Sequence, residues 1–163
     1  MELATLHAEW RDYLPGDFQP PAADDKLELD SDAWRERLEP AAFDVLRKEA
    51  TERAGTSPLN DEKRRGVFVC AGCDLPLFTS AMKFDSGTGW PSFWSPIRGA
   101  VATKPDYRIW TLRDEVVQHH HECTILRAKV LSRSSSAGNT SCDHLGSGWL
   151  PNRCCIQLAS TEV

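Results

Sequence analysis

The sequence predicts a mostly β domain with a helix at its N-terminal end and an irregular tail behind it. Three observations carry that expectation. Phe43, Leu46 and Ala50 recur at helical spacing after Pro40. From Gly66 onward, short β-branched and aromatic segments alternate with glycine and proline turns. Between Ser132 and Ser141 the chain turns to serine, glycine and asparagine, the composition of a linker. The expected organisation is an extension over residues 1–31, a domain over 32–115 and a diverged or out-of-pattern segment over 116–163.

Each element has its own grounds. Pro15, Gly16, Pro20 and Pro21 break any long element in the extension, and Asp24, Asp25, Glu28 and Asp30 keep it in water. Trp10, Tyr13 and Leu14 are its means of docking on the domain, but a solvated extension is the expectation. Residues 32–54 read as one helical stretch. Pro40 suits a first helical turn, where its missing N–H costs nothing. Asp44, Arg47, Lys48 and Glu49 then face away from the apolar stripe, and Gly55 is the expected stop. Thr56 to Asp61 is turn-like. Val67–Val69 is the first strand. Leu75–Phe78 is the second, placed at an edge or bend by Pro76. Val101–Thr103 and Tyr107–Leu112 follow, with Gly87, Gly89 and Pro91 marking tight turns before them. Thr124–Leu131 is helix-like or strand-like, and no regular structure is assigned after it. There is no internal repeat.

The 163 residues suit one domain with extensions. Nineteen basic against 24 acidic residues leave a net charge of −5, with the acidic excess before residue 67. That balance argues against a protein that binds nucleic acid by neutralising phosphates. Nowhere do 18 apolar residues run together, so no membrane span is expected. The N-terminus has neither the apolar run of a secretory signal nor the acid-poor character of a transit peptide, and a cytoplasmic location is expected. All six cysteines fall after residue 69. In a reducing compartment they point to metal binding or catalysis rather than to a disulfide framework.

Cys70-Ala71-Gly72-Cys73 is the sharpest local signal. Two thiolates at this spacing, with a glycine for the turn, can share one Zn²⁺, so the motif reads first as half of a structural zinc site. Inert buried thiols and a redox pair are the rivals. The redox reading is the weakest, because redox pairs usually open a helix and this one follows a strand. The second half is not obvious. His119, His121 and Cys123, or Cys142 with His144, can each be written as a ligand pair, although a solvated loop is the better reading of His119–His121. The second signal is Asp85-Ser86-Gly87-Thr88-Gly89-Trp90-Pro91-Ser92-Phe93-Trp94. Two tryptophans beside two glycines can line a pocket for a small apolar group, since glycine lets a ligand approach the backbone. From composition alone, an aromatic core behind a glycine turn is the stronger reading.

These residues carry a resemblance. The stretch Pro58-Leu59-Asn60-Asp61-Glu62-Lys63-Arg64, then Gly66 to Phe78 around the CxxC, then Lys83-Phe84-Asp85-Ser86-Gly87-Thr88-Gly89-Trp90-Pro91-Ser92-Phe93 resembles the B-type methionine-R-sulfoxide reductases. It runs from about Trp34 to about Glu115. The resemblance implies a β-tent domain of two small antiparallel sheets with N-terminal helices. It implies a structural zinc for which Cys70 and Cys73 supply one ligand pair. It also implies that Trp90, with Phe93, forms the substrate-binding face for the sulfoxide's methyl group. The reaction implied is thiol-dependent reduction of methionine-R-sulfoxide, in oxidised proteins or as the free amino acid. The expected partners are thioredoxin or another thiol reductant, with no nucleic acid and no membrane, and the protein is expected to be a monomer.

After Glu115 the chain departs from that pattern. Gln118 and His121 stand about where a second CxxC would lie. Asp143-His144-Leu145-Gly146-Ser147 matches a His-x-Gly-His segment only in part, and Arg153-Cys154-Cys155-Ile156-Gln157 is the nearest fit to the nucleophile segment. The resemblance therefore assigns Cys155 as nucleophile, Arg153 as the cation that favours its thiolate and His144 as an aid to protonation. Thr88 occupies the usual position of the resolving cysteine, so the resolver must be another cysteine or an external thiol. Vicinal Cys154 and Cys155 would close a strained ring. Two accounts of the tail compete, a diverged end that still delivers Cys155 and a difference of reading frame or exon, and the second is favoured. Beside the reductase stand an inactive β-domain of the same descent and a zinc-stabilised interaction module.

Overall fold

Strand β1, Gly66–Cys70, is the element around which the rest assembles. All five of its residues are buried, which fits the unbroken Gly-Val-Phe-Val-Cys run. In this computed structural model, residues 3–22, 27–48, 50–106, 113–118, 125–126 and 156–160 are described. β1 is the centre of a three-stranded antiparallel sheet, flanked by β2 (Pro76–Thr79) and β8 (Ile156–Ser160). β3 (Lys83–Phe84) and β4 (Ser92–Phe93) form a short antiparallel ladder. β5 (Val101–Asp106), β6 (Arg113–Gln118) and β7 (Ile125–Leu126) form a second three-stranded antiparallel sheet. The expected mostly β architecture of small antiparallel sheets behind N-terminal helices is what the chain adopts.

The pairing of β1 differs on its two sides. Against β8 the register runs evenly from Gly66↔Ser160 to Cys70↔Ile156. Against β2 it slips between Phe68 and Val69, so that Val69 faces Pro76. A bulge and a proline both belong at a sheet edge, and β2 is one edge of this sheet. Gly66 has a steric reason of its own. A Cβ there would meet the Ala159 carbonyl oxygen of β8. The sequence marks no strand over Ile156–Ser160. That strand, the addition of β6, and the extent of β5 to Asp106 are findings of the structure. The strand expected over Tyr107–Leu112 lies outside the described residues.

The single helical stretch expected over 32–54 is corrected to two helices. α1 (Leu3–Ala8) precedes them in the extension. α2 spans Ser31–Arg37 and α3 spans Pro40–Lys48. Asp30, read from sequence as a solvating residue, caps α2, its carboxylate accepting from the N–H groups of Asp32 (3.0 Å) and Ala33 (2.9 Å). Leu38 is extended, with ψ 141°. The break has a cause in Pro40, which cannot donate back to the preceding turn and biases the residue before it away from helix. α3 ends well before Gly55. The Ala50 N–H reaches back across the helix end to the Asp44 carbonyl (3.0 Å). Gly55 serves the candidate site instead.

The extension is docked, not solvated. Tyr13 is buried within the main core, with the Arg65 guanidinium 3.8 Å from its ring centre. Trp10, Leu14, Phe18, Leu27 and Leu29 pack around the same core. Beneath them lie Trp34, Phe43 and Leu46 of the helices and Phe68 and Phe78 of the sheet. Among the described residues, no helix is long and apolar enough to cross a membrane.

Candidate functional site

The Gly-Thr-Gly-Trp-Pro-Ser-Phe run forms a ledge held from outside by residues 52–60. The Gly89 carbonyl accepts two hydrogen bonds, from the Gly55 N–H (2.7 Å) and from the Asn60 side-chain amide (3.1 Å). The Trp90 indole N–H donates to the Glu52 carbonyl (3.2 Å). Backbone and ring of the ledge are thus fixed by one neighbouring loop. Gly89 must be glycine on two counts. Its φ is +86°, and a Cβ would lie 2.7 Å from the Gly55 nitrogen and 3.0 Å from the Ala54 Cβ. The loop is fixed in turn by Lys83, whose ammonium donates to the Asn60 carbonyl (2.7 Å). Burial pushes the Lys83 pKa down from its ordinary value, with nearby Lys63 adding to the effect.

A chain of hydroxyls stiffens the turn below. Ser86 shares hydrogen bonds with Thr88 (2.7 Å) and Ser92 (2.6 Å), and the Ser92 hydroxyl donates to the Trp90 carbonyl (3.0 Å). Thr88 therefore serves as a structural hydroxyl in this turn. Trp90 is half-buried, as a binding surface requires. Phe93, expected beside it on the substrate face, is corrected to the core. It has 0% exposure, stacks on Phe78 (centroids 4.3 Å apart) and meets Phe68 edge-on (4.8 Å). Both residues of β4, Ser92 and Phe93, are buried, while Trp94, just past its end, is 55% exposed. The bland aromatic-core reading holds for Phe93, whereas Trp90 and Trp94 keep ring surface open to solvent.

The CxxC forms a separate knuckle at the end of β1. The Cys70 N–H donates to the Leu75 carbonyl and the Asp74 N–H to the Cys70 carbonyl, both at 2.9 Å. The Gly72 N–H points at the Cys70 sulfur (3.3 Å), a donor that stabilises a thiolate. Asp74 adopts φ +59°, a conformation that Asp tolerates better than most residues. No helix opens here, which removes the ground for the redox-pair reading. Cys70 and Cys73 are both buried and suit one half of a zinc site by donor type and turn geometry. Among the described residues, no cluster of three or more His, Cys, Asp or Glu side chains could hold a metal ion.

Asp74 also joins three elements. Its carboxylate accepts from the Gln157 amide of β8 (2.9 Å) and lies 3.5 Å from the Arg37 guanidinium. Arg37 Nε donates in addition to the Gly72 carbonyl (2.6 Å). Ile156 and Gln157 directly follow Cys155 in sequence. Cys155, Arg153 and His144 themselves lie outside the described residues, as do His119, His121, Cys123 and Cys142. The sequence signals missed Glu52, Gly55 and Asn60 as parts of the ledge. Two of those three act through backbone groups, and only Asn60, in a turn next to a buried lysine, carries a side-chain clue.

Residues 38–135 match the SelR domain. The chain is 42% identical over 104 residues to the chloroplastic peptide methionine sulfoxide reductase B1 of Arabidopsis thaliana, covering 63% of this chain and 52% of that protein. It is 45% identical over 94 residues to the peptide methionine sulfoxide reductase MsrB of Pseudomonas savastanoi pv. phaseolicola, covering 57% of this chain and 72% of the relative. It is 42% identical over 100 residues to the MsrB of Saccharophagus degradans, covering 61% and 75% respectively. The chain thus spans about half of the Arabidopsis relative and about three quarters of the two bacterial ones. The domain match runs 20 residues beyond Glu115, past the point at which the sequence resemblance ends, and stops before His144.

Proposed function

This chain belongs to the SelR-domain family, and from that premise we propose that it reduces methionine-R-sulfoxide to methionine in oxidised proteins at the expense of a thiol. The observation that carries the proposal is the fixed indole ledge, with Trp90 held by its ring and its preceding carbonyl held twice. A preorganised apolar face suits a sulfoxide methyl group, because orientation is then settled before the chemistry.

The proposed chemistry needs a thiolate and a proton. The Cys155 sulfur takes up the sulfoxide oxygen, an S–O bond forming on the enzyme as the substrate's S–O bond breaks. Arg153 favours the thiolate, and His144 assists delivery of the proton to the departing oxygen. Methionine leaves, and Cys155 remains as a sulfenic acid. An external thiol then forms a disulfide with Cys155 as water departs, and a second thiol releases the oxidised donor and restores the cysteine. Thioredoxin or another thiol fits this role, since Thr88 stands where an internal resolver would be. The protein acts in the cytoplasm as a monomer.

Thiol-dependent turnover of dabsylated methionine-R-sulfoxide tests the proposal. Activity in the wild type that Cys155→Ser abolishes is the expected result. A second reading, an inactive zinc-binding β-domain that serves as an interaction module, is favoured by one observation: the domain match ends at residue 135, before Arg153 and Cys155. Absence of turnover in both proteins selects that reading. The zinc proposal is tested separately. Cys70 and Cys73 would hold one side of a structural Zn²⁺, which would lock the knuckle. Metal content near one per chain is expected, and less than roughly a tenth overturns it.

A further inference from the structure

Among the large hydrophobic side chains described, Trp94 is the exposed one, at 55%. It is not loosely placed. Its ring stacks on Phe84 with centroids 4.1 Å apart and planes 23° from parallel. Phe84 is the register partner of Ser92, so Phe84 and Trp94 are diagonal neighbours on one face of the β3–β4 ladder. The Trp94 N–H donates to the Met82 carbonyl (2.8 Å). The next residue, Ser95, is tied through its hydroxyl to the His7 imidazole of α1 (3.3 Å). One ring face is therefore spent on Phe84, the backbone is fixed on both sides, and the ring stays open to solvent.

Trp94 is also continuous with the ledge. It lies four positions after Trp90, a span of at most about 14 Å of extended chain. A bound polypeptide covers the same span in three or four residues of its own. Resting on the proposed reductase reading, we infer that Trp94 on its Phe84 base is a second binding surface, for an apolar side chain that flanks the sulfoxide in a polypeptide substrate. The occupant is apolar because the receiving surface is an aromatic stack. It belongs to the substrate because the stack lies on the strand that leads out of the ledge. Free methionine sulfoxide is too short to reach it. Trp94 would thereby favour sulfoxides embedded in protein chains over the free amino acid.

Two R-sulfoxide substrates separate the possibilities: a peptide with leucines at the third and fourth positions on each side of the oxidised methionine, and free methionine-R-sulfoxide. Trp94→Ala is expected to lower kcat/KM for the peptide by about 5- to 10-fold, mainly through KM, the size of one aromatic contact. Turnover of the free amino acid should stay within about 2-fold, and Trp94→Phe should restore the peptide preference. Equal losses on both substrates, or no loss on either, overturn the inference. Should the wild type turn over neither substrate, the reductase reading fails by itself. The surface is then judged by fluorescence anisotropy of the same peptide carrying a label. A Kd raised by the same factor in Trp94→Ala supports it, and an unchanged Kd overturns it.

Discussion

The backbone turn at Cys70–Leu75 is closed mainly by its own bonds, whereas the ledge at Gly89–Trp90 is held by a loop some thirty residues upstream. Both are tight turns with a residue at positive φ. In the knuckle the backbone bonds that shape the turn, from Cys70, Gly72 and Asp74, begin and end within six residues, and Arg37 and Gln157 brace it from outside. In the ledge the fixing partners are Glu52, Gly55 and Asn60. A turn of the first kind tolerates changes elsewhere in the chain. A turn of the second kind transmits them. The element proposed to meet the substrate is therefore the one whose shape depends on distant residues.

The largest expected effect breaks the ledge at its tightest point. Gly89→Ala forces φ +86° on a residue with a Cβ and drives that Cβ against the backbone of Ala54 and Gly55. The strain and displacement are expected to cost about 2–4 kcal/mol, measured as a shift of the urea midpoint. The knuckle should respond oppositely. Asp74→Gly relieves a positive φ while losing exposed hydrogen bonds to Gln157 and Arg37. Those terms nearly offset, so stability should stay within about 1 kcal/mol. If Asp74→Gly proves as damaging as Gly89→Ala, the knuckle is not self-contained and the contrast fails.

A middle-sized effect separates holding the ledge from holding the fold. Asn60→Ala removes the amide that bonds the Gly89 carbonyl but leaves the Gly55 N–H in place. The Lys83 ammonium keeps its partner too, because it uses the Asn60 backbone carbonyl. One hydrogen bond of this kind contributes about 1 kcal/mol. KM for methionine-R-sulfoxide should rise about 3- to 10-fold, with little change in the urea midpoint. Loss of stability without a change in KM would mean that the loop supports the core and not the ledge.

The same contrast explains what could be read from the sequence. The knuckle was legible because its determinants are adjacent: two cysteines, a glycine and an aspartate after a buried strand. α3 was legible from Pro40 and its apolar stripe, and β1 from its unbroken apolar run. The clamp on the ledge was not. Glu52 and Gly89 accept through main-chain carbonyls, which carry no signature of residue type. β8 was missed for a related reason. Ile156–Ser160 has one buried residue, and its partner strand lies some ninety residues upstream. Phe93 was misassigned because a motif states which residues recur together but not which of them reach the core. The docked extension escaped because its prolines and acids, read locally, outweigh a single tyrosine that finds the core.

The smallest expected effect concerns the joint between the two regions, residues 61–65, which lead from the clamp loop into β1. Glu62 is bonded there by Arg64 through its guanidinium (2.6 Å) and its backbone N–H (2.9 Å). The Arg64 side chain, chiefly by hydrogen bonding, holds the Glu62 carboxyl down at about 2, against an ordinary value of 4.5. The folded state thus binds the proton less readily than the unfolded chain. Its contribution to stability is complete above pH 4.5 and is lost as the pH falls toward 2. Arg64 is 55% exposed, so water screens the pair and the contribution is small. Glu62→Gln should lower the urea midpoint slightly at pH 7, and the difference from wild type should close by about pH 2. If the joint couples the regions, the variant's KM for sulfoxide should follow the ledge and rise, while the zinc binding proposed for the knuckle stays unchanged. A fall in zinc content with no change in KM would place the joint's mechanical influence on the other side, in β1 and its cysteines.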